Sequence, residues 1–563
     1  MVSTGRTRLL LVSPRFPENF WSMTASMKVL GRAYSVAPNG LPTIAALTPR
    51  DWDVEIVDEN VQAIDFDASV EIVGITAYSV QMYRLREIAR EFKRRGKLVV
   101  IGGPGCTDVR DLPYSSADGD DPFFHVRFQG EAERTWPKFC ADYERGTWQA
   151  EYIEAEKVDV ASSPIPRFEL LKLDQYGEVA IQTTRGCPFH CEFCDVIKLF
   201  GRVPRYKTAA QIVAEVERVL ALGADRVFFA DDNFIGNRKH ALEVLHALVL
   251  LQNRTGRRLR FGTQLTINVA ESPDVLDLMH EAGFVYVFVG IESPSGSSLA
   301  GAGKKINIRK NLVGDVRKIL ARGIQVKAGM ILGFDEDRES VFDNHLAFLR
   351  VSGIPIVMEG VLIAQRGTPL YERLAREGRI LLTSEGEEQL LQEKANARGS
   401  VNFRPFALSS RQLVEGYRRI LSELYDPDHF AERMKRTLRR MQKPPNLGAL
   451  SGREIMGGIR TFANCLWRRR YRGLALQCIM LAFNYWRRKH SAREFINYTY
   501  QITYMLLLFV HMREFCDTIL SSPLSEDIQP VLSGPRPTVA IASSNLGAAA
   551  QLVRLRRAAT GPS

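Results

Sequence analysis

The chain has 563 residues, a net charge of +11, 45% apolar and 25% charged residues. This is a globular composition in a length that suits three or four domains, and it excludes a disordered or fibrous chain. Eight cysteines are too few for a disulfide framework here, which points to a reducing cytoplasm. Residues 9–12 form the first apolar run, too short for a signal-peptide core. No run of 18 strongly apolar residues predicts a membrane-spanning helix. From residue 381 onward there are 27 Lys/Arg against 15 Asp/Glu, so the basic excess belongs to the C-terminal third.

In residues 1–150, short β-type runs at 8–12, 53–57, 71–76, 97–101 and 124–128 alternate with helical patterns at 41–47, 83–94 and 132–143. That alternation predicts an open parallel α/β sheet. Ligands of such sheets bind beyond the carboxyl ends of the strands. Those ends carry Asp58, Thr76, Ser79, Gly102, Gly103, Gly130 and Glu131. Glycine there admits close approach of a bulky cofactor. A linker at 151–176 follows, made extended by Pro164 and Pro166.

After a β-type run at 179–183 comes a loop with Cys187, Cys191 and Cys194 at C-x3-C-x2-C spacing. Thiolates are soft ligands that suit iron–sulfur clusters. Three of them hold three irons of a four-iron cluster and leave the fourth open. A structural zinc site with His190 as fourth ligand is the plainer alternative. Strands at 226–230, 258–265, 286–290, 324–331 and 356–363 follow, with helices at 209–222, 238–252, 273–282, 308–322 and 338–351. Counting the strand before the cysteines, these make six β/α units within 177–380, a partial (β/α)6 barrel whose chemistry sits at the carboxyl ends of the strands. Those ends carry Asp231-Asp232-Asn233, Glu292, and Gly329-Met330-Ile331-Leu332-Gly333. An Asp-Asp-Asn run is also an ordinary helix cap.

Residues 381–520 read as a basic helical domain, with helices at 385–398, 411–424 and 430–441. The span 452–493 holds ten Lys/Arg and one acid, with Trp467 and Trp486 beside basic clusters. Residues 495–512 carry no formal charge. Basic residues, aromatics and a moderately apolar helix fit an element lying on an anionic membrane surface. They also fit a helical domain docked on the barrel. No nucleic-acid-binding module is recognised. The tail 521–563, rich in Pro, Ser, Ala and Gly, is expected to be largely disordered.

The cysteine loop, with Phe193 before its last cysteine, resembles the radical S-adenosylmethionine (SAM) superfamily. The preceding α/β domain resembles the cobalamin-binding domain of its class B methyltransferases. Cys187–Asp195 and Gly201–Lys207 are similar to a subgroup that includes hopanoid C-2 methylases. The resemblance implies a [4Fe–4S] cluster on Cys187, Cys191 and Cys194. It implies SAM binding by Phe193, Asp231, Asp232, Asn233, Glu292, Gly329, Ile331 and Gly333, with Arg185 either steering SAM or packing on the loop. It implies cobalamin at the strand ends named above. Asn60 replaces the usual cobalt-ligating His, so imidazole ligation is not expected. The implied reaction begins with reductive cleavage of SAM to a 5′-deoxyadenosyl radical, which takes hydrogen from an unactivated carbon. Methyl then comes from methylcobalamin, which a second SAM restores. The implied substrate is a lipid such as a hopanoid. Alternatives are methylation, cyclisation or oxidation of a tetrapyrrole or other natural product, and a cobalamin-binding regulator. A flavodoxin or ferredoxin supplies electrons. The expected location is the cytoplasm, with peripheral contact at the inner membrane.

Overall fold

The computed structural model describes residues 6–106, 123–309, 311–381, 401–447, 450–487 and 491–522. The predicted helix at 385–398 and the tail from 523 lie outside them. Leu9, Leu10, Leu11 and Val12 are all buried, as a parallel strand covered on both faces requires. They form the strand Arg8–Ser13. Asp53–Asp58 pairs on one side of it. Ile72–Thr76, Leu98–Gly102, Val126–Gln129 and Glu151–Ile153 follow in order on the other, all parallel. Helix Met82–Arg94 turns Leu85, Ile88, Ala89 and Phe92 inward, the spacing of one buried face.

The second sheet is a curled parallel half-barrel. Its spatial order is Tyr34–Ala37, Tyr176–Ile181, Arg226–Phe229, Arg260–Leu265, Phe284–Glu292, Gln325–Leu332 and Ile356–Val361. The last six are the strands predicted for the barrel. The seventh comes from the N-terminal region and pairs Tyr34 with Tyr176 and Ala37 with Val179. Helix Thr24–Val29 packs beside it. Neither was predicted, because the strand is four residues long and only Ala37 is fully buried. Residues before 150 therefore contribute to both sheets. Gly177 makes the edge pairing fit: a Cβ there would meet Ser35 O at 2.7 Å and Met27 Sδ at 3.0 Å.

A half-barrel leaves an open side between its two edge strands. The 30-residue helix Ala492–Ser521, roughly 45 Å long at 1.5 Å per residue, contacts helix Thr24–Val29 by one edge and strand Ile356–Val361 at the other. Ser26 Oγ donates to Leu507 O at 2.8 Å, and His511 Nε2 bonds Asn19 O at 3.1 Å. Ile502, Met505, Leu506 and Phe509 are buried. The uncharged stretch at 495–512 thus covers the barrel, the second of the two readings its sequence allowed. No described helix is long and apolar enough to cross a membrane. Helices Ser410–Leu424, Pro427–Arg440, Gly452–Trp467 and Arg469–Trp486 complete the C-terminal region.

Candidate active site

The cysteine loop leaves strand Tyr176–Ile181 at its carboxyl end and is held by the neighbouring strand end. Thr183 N–H and Thr184 N–H donate to Asp231 Oδ1 at 2.7 and 2.9 Å, and Thr183 Oγ donates to Asp231 Oδ2. Gly186 N–H donates to Asp232 Oδ2 at 2.9 Å. Burial pushes Asp231 up to about 7 and Asp232 to about 6, against those bonds. Asn233 Oδ1 accepts from Thr266 N–H at 3.2 Å, while its buried Nδ2 has no partner. On the far side, Glu192 N–H donates to Ala302 O at 3.1 Å and Arg373 donates to both Glu192 carboxylate oxygens.

Cys187, Cys191 and Cys194 are half-buried on this loop. Burial raises all three thiols, Cys194 to about 12. As the side chains stand, no three of the described His, Cys, Asp and Glu groups converge on a metal-sized point. The donor chemistry still fits a cluster: three soft thiols within one eight-residue span, with His190 exposed at its tip. Metal binding would displace the thiol protons.

Side chains alternate along the barrel strands. Strand Phe284–Glu292 presents Tyr286 and Phe288 to the cavity inside the barrel, and its pairing shifts register between Gly290 and Glu292. Glu292 has φ of 65° and bonds Lys304. Lys304 Nζ lies 5.9 Å from the Phe193 ring and within electrostatic reach of Cys191 and Cys194. Sequence reasoning missed Lys304, because nothing in Gly301–Ala302–Gly303–Lys304–Lys305 marks it as a site. On the next strand, Gly329 faces the Phe288 ring, where a Cβ would meet Cζ at 2.7 Å. Ile331 is half-buried. Gly333 N–H donates to Asp337 at 2.8 Å, so Asp337 anchors that turn. Glu292 and Phe193 thus meet around Lys304, whereas Asp231 is committed to the loop itself.

The carboxyl edge of the first sheet runs along the first barrel strand. Asp58 accepts from Tyr176 Oη at 2.8 Å and from Asn60 N–H at 2.9 Å. Glu131 accepts from Arg185 at 2.8 Å, from Arg205 at 2.7 Å and from Val158 N–H at 3.0 Å. Arg185 also pairs with Glu133 at 2.6 Å, so it belongs to this junction. A Cβ on Gly103 would meet Thr76 Oγ at 2.5 Å and Ala77 O at 2.9 Å. That glycine lets two strand-end loops pack together. Gly102 ends its strand, Gly130 leads into Glu131, and Ser79 is exposed at the start of a turn. Asn60 Oδ1 accepts from Phe16 N–H at 2.8 Å. Tyr78 lies within electrostatic reach of Asp195 and Asp232 of the cysteine region. A cobalamin held at these strand ends would receive no imidazole from the described residues of the first sheet. Its described histidine, His125, stands before its strand, at the opposite end.

Inside the amino half of the barrel, beneath helix Ala492–Ser521, lies a cavity of about 150 Å³. Trp21 and Phe288, with centroids 4.6 Å apart, form part of its wall. Its polar side is Glu178, Arg226, Tyr286 and Lys327 at the amino halves of the strands.

Residues 181–349 match the radical SAM superfamily, and residues 368–522 match a domain of unknown function, DUF4070. An uncharacterized methyltransferase of Synechocystis sp. is 36% identical over 82% of this chain and 84% of its own length. The hopanoid C-2 methylase of Rhodopseudomonas palustris is 34% identical over 76% of this chain and 79% of its own. Among solved structures, the cobalamin-dependent SAM radical enzyme OxsB, with aqua-cobalamin and SAM bound, shares the fold. Its TM-score is 0.56 at 13% identity, covering 92% of this chain and 85% of that one.

Proposed function

The chain belongs to the radical SAM methyltransferase family that includes hopanoid C-2 methylase, and on that premise we propose that it methylates an unactivated carbon of a hopanoid-type lipid. The three-thiol loop, clamped by Asp231 and Asp232 at the mouth of the half-barrel, supports the reaction, and the likeness to the hopanoid C-2 methylase carries the lipid substrate. A [4Fe–4S] cluster, SAM and cobalamin supply the radical and methyl-transfer chemistry when bound.

The chain's own residues position and enclose that chemistry. Cys187, Cys191 and Cys194 hold the cluster. Asp231 keeps the loop's backbone donors satisfied. Phe193, Asp232, Asn233, Glu292, Gly329, Ile331 and Gly333 line the approach for SAM, with the Lys304 ammonium countering nearby negative charge. Thr76, Ser79, Gly102, Gly103 and Gly130 border the cobalamin side, while Asp58 and Glu131 hold the two sheets in register. Helix Ala492–Ser521 excludes water from the barrel. A flavodoxin or ferredoxin delivers electrons, and the protein works in the cytoplasm against the inner membrane.

The test is anaerobic reconstitution with iron, sulfide and hydroxocobalamin, followed by SAM, reductant and a hopanoid. Mass spectrometry should find 5′-deoxyadenosine and a methylated lipid, and Cys191→Ala should abolish both. Deoxyadenosine without methylation of any lipid would overturn the substrate. Neither product from a chain with full iron content would overturn the reaction.

A further inference from the structure

Helix Arg469–Trp486 is apolar on two sides. Tyr471, Leu474, Ala475 and Cys478 are buried against the protein. Leu476, Ile479, Met480, Phe483 and Trp486 recur every three or four residues on the outside and are 43–62% exposed. A helix apolar on both faces has a second apolar environment to meet. Only Arg468 separates it from helix Gly452–Trp467, and the two pack as a hairpin. The first helix likewise exposes Ile455, Met456 and Ile459, and Trp467 at the turn is 88% exposed.

Charge names the partner. The one acid between 452 and 487, Glu454, turns inward to Arg226 and Arg260. Arg468 and Arg470 pair with Glu514 and Asp517. Arg453, Arg460, Arg469, Arg472 and Arg487 remain exposed around the apolar rows. Apolar rows rimmed by Arg, with Trp near the ends, match the surface of an interfacial helix on anionic lipid. A second copy would bring equal positive charge against this face. An electron donor docked here would stand far from the cysteines. Arg226 and Arg260, which hold Glu454, begin their strands, whereas the cysteine loop lies past the opposite ends. That separation is on the order of 20 Å at about 3.3 Å per strand residue.

We propose that the outer face of this hairpin seats in the headgroup layer of an anionic bilayer, and that the cavity behind it receives lipid from that layer. The inner side of the first helix lines the cavity with Gly457, Gly458 and Thr461. Gly457 lets the helix approach, since a Cβ there would meet Leu30 at 2.7 Å. The cavity is thus separated from the docked face by one helix, about 10 Å. The role of the cavity rests on the lipid-methylation reading. The docking face stands apart from it.

The test floats the full-length, cluster-loaded protein with phosphatidylcholine vesicles, with and without phosphatidylglycerol. Binding should require phosphatidylglycerol and weaken with salt. I479E/F483E should weaken it by at least about tenfold, from the lost burial of two apolar side chains. The same variant should keep its helix content and its rate of SAM cleavage in solution. No binding to anionic vesicles, or equal binding of wild type and variant, would overturn the proposal. So would a concentration-dependent dimer abolished by the same substitutions. Turnover of vesicle-embedded hopanoid should fall in the variant while turnover of detergent-dispersed hopanoid holds; equal loss in both would overturn delivery through this face. Vesicle binding without turnover of any lipid would support the docking face and sink the lipid-methylation reading alone.

Discussion

Lys327 carries an ammonium into the amino end of the barrel. Its Nζ donates to Tyr504 Oη at 2.9 Å and lies 3.5 Å from the centroid of the Tyr286 ring. Burial pushes its pKa down from 10.5 to about 8; Glu178 opposes that shift and Arg226 adds to it. The native chain therefore releases this proton near pH 8, whereas the unfolded chain keeps it until about 10.5. Between those values the unfolded state binds more protons, so this group's contribution makes stability rise with pH. Burial raises the thiols of Cys106, Cys140, Cys465, Cys478 and Cys516, which makes their contribution fall over the same range. The lysine is therefore read by difference: in urea unfolding, the stability of wild type minus that of Lys327→Met should rise from pH 8 to 10. A second prediction concerns Asp231. Asp231→Ala leaves the Thr183 and Thr184 N–H groups buried without their acceptor, at about 1–3 kcal/mol each. Iron content after reconstitution should fall in the order wild type, Asp231→Asn, Asp231→Ala, with far-ultraviolet circular dichroism little changed.

The edge strand Tyr34–Ala37 depends on a residue far from it in sequence. Gly177 carries no side chain where Ser35 O and Met27 Sδ approach, so Gly177→Val forces apart the edge strand and helix Thr24–Val29. Overpacking of this kind costs about 1–3 kcal/mol. The denaturation midpoint should drop, and hydrogen exchange should accelerate first at residues 34–37. Helix Ala492–Ser521 shows the converse dependence. Its uncharged middle is too polar for a lipid core and suits a protein one, where Gln501 bonds Gln325 and Tyr504 bonds Lys327. Barrel side chains meet Gln501 Oε1 and Tyr504 Oη, while Gln501 Nε2 and Gln325 Oε1 stay buried without a partner.

One seam of buried charge joins the first sheet to the barrel. Glu131 gathers Arg185, Arg205 and Val158 N–H, and Asp58 takes the Tyr176 hydroxyl. The seam ties the first sheet to the strand that launches the cysteine loop. Removing one partner of a buried ion pair costs about 3–5 kcal/mol. Strand Glu151–Ile153 belongs to the first sheet, so the connection between the sheets is 154–175. Glu131→Ala should lower the melting temperature and speed proteolysis of that connection. Glu131→Gln, which keeps the acceptor oxygen for Val158, should be milder.

Much of this arrangement is local and was legible in the chain. Cysteine spacing, apolar runs such as 9–12 and the strand–helix alternation reflect covalent chemistry and short-range periodicity. They mark the cysteine loop, both parallel sheets and the six predicted barrel strands. Other roles depend on neighbours that periodicity does not name. Asp231 holds Thr183 and Thr184, Glu131 holds Arg185, and Gly103 packs against Thr76, although each is simply a polar residue or glycine at a strand end. Local chemistry fixed most of the strands and the place where three thiols can gather. The tertiary structure decided that Tyr34–Ala37 completes the barrel sheet and that helix Ala492–Ser521 covers it. Both outcomes come from burial against segments distant in the chain, and such burial exists only once the chain has folded.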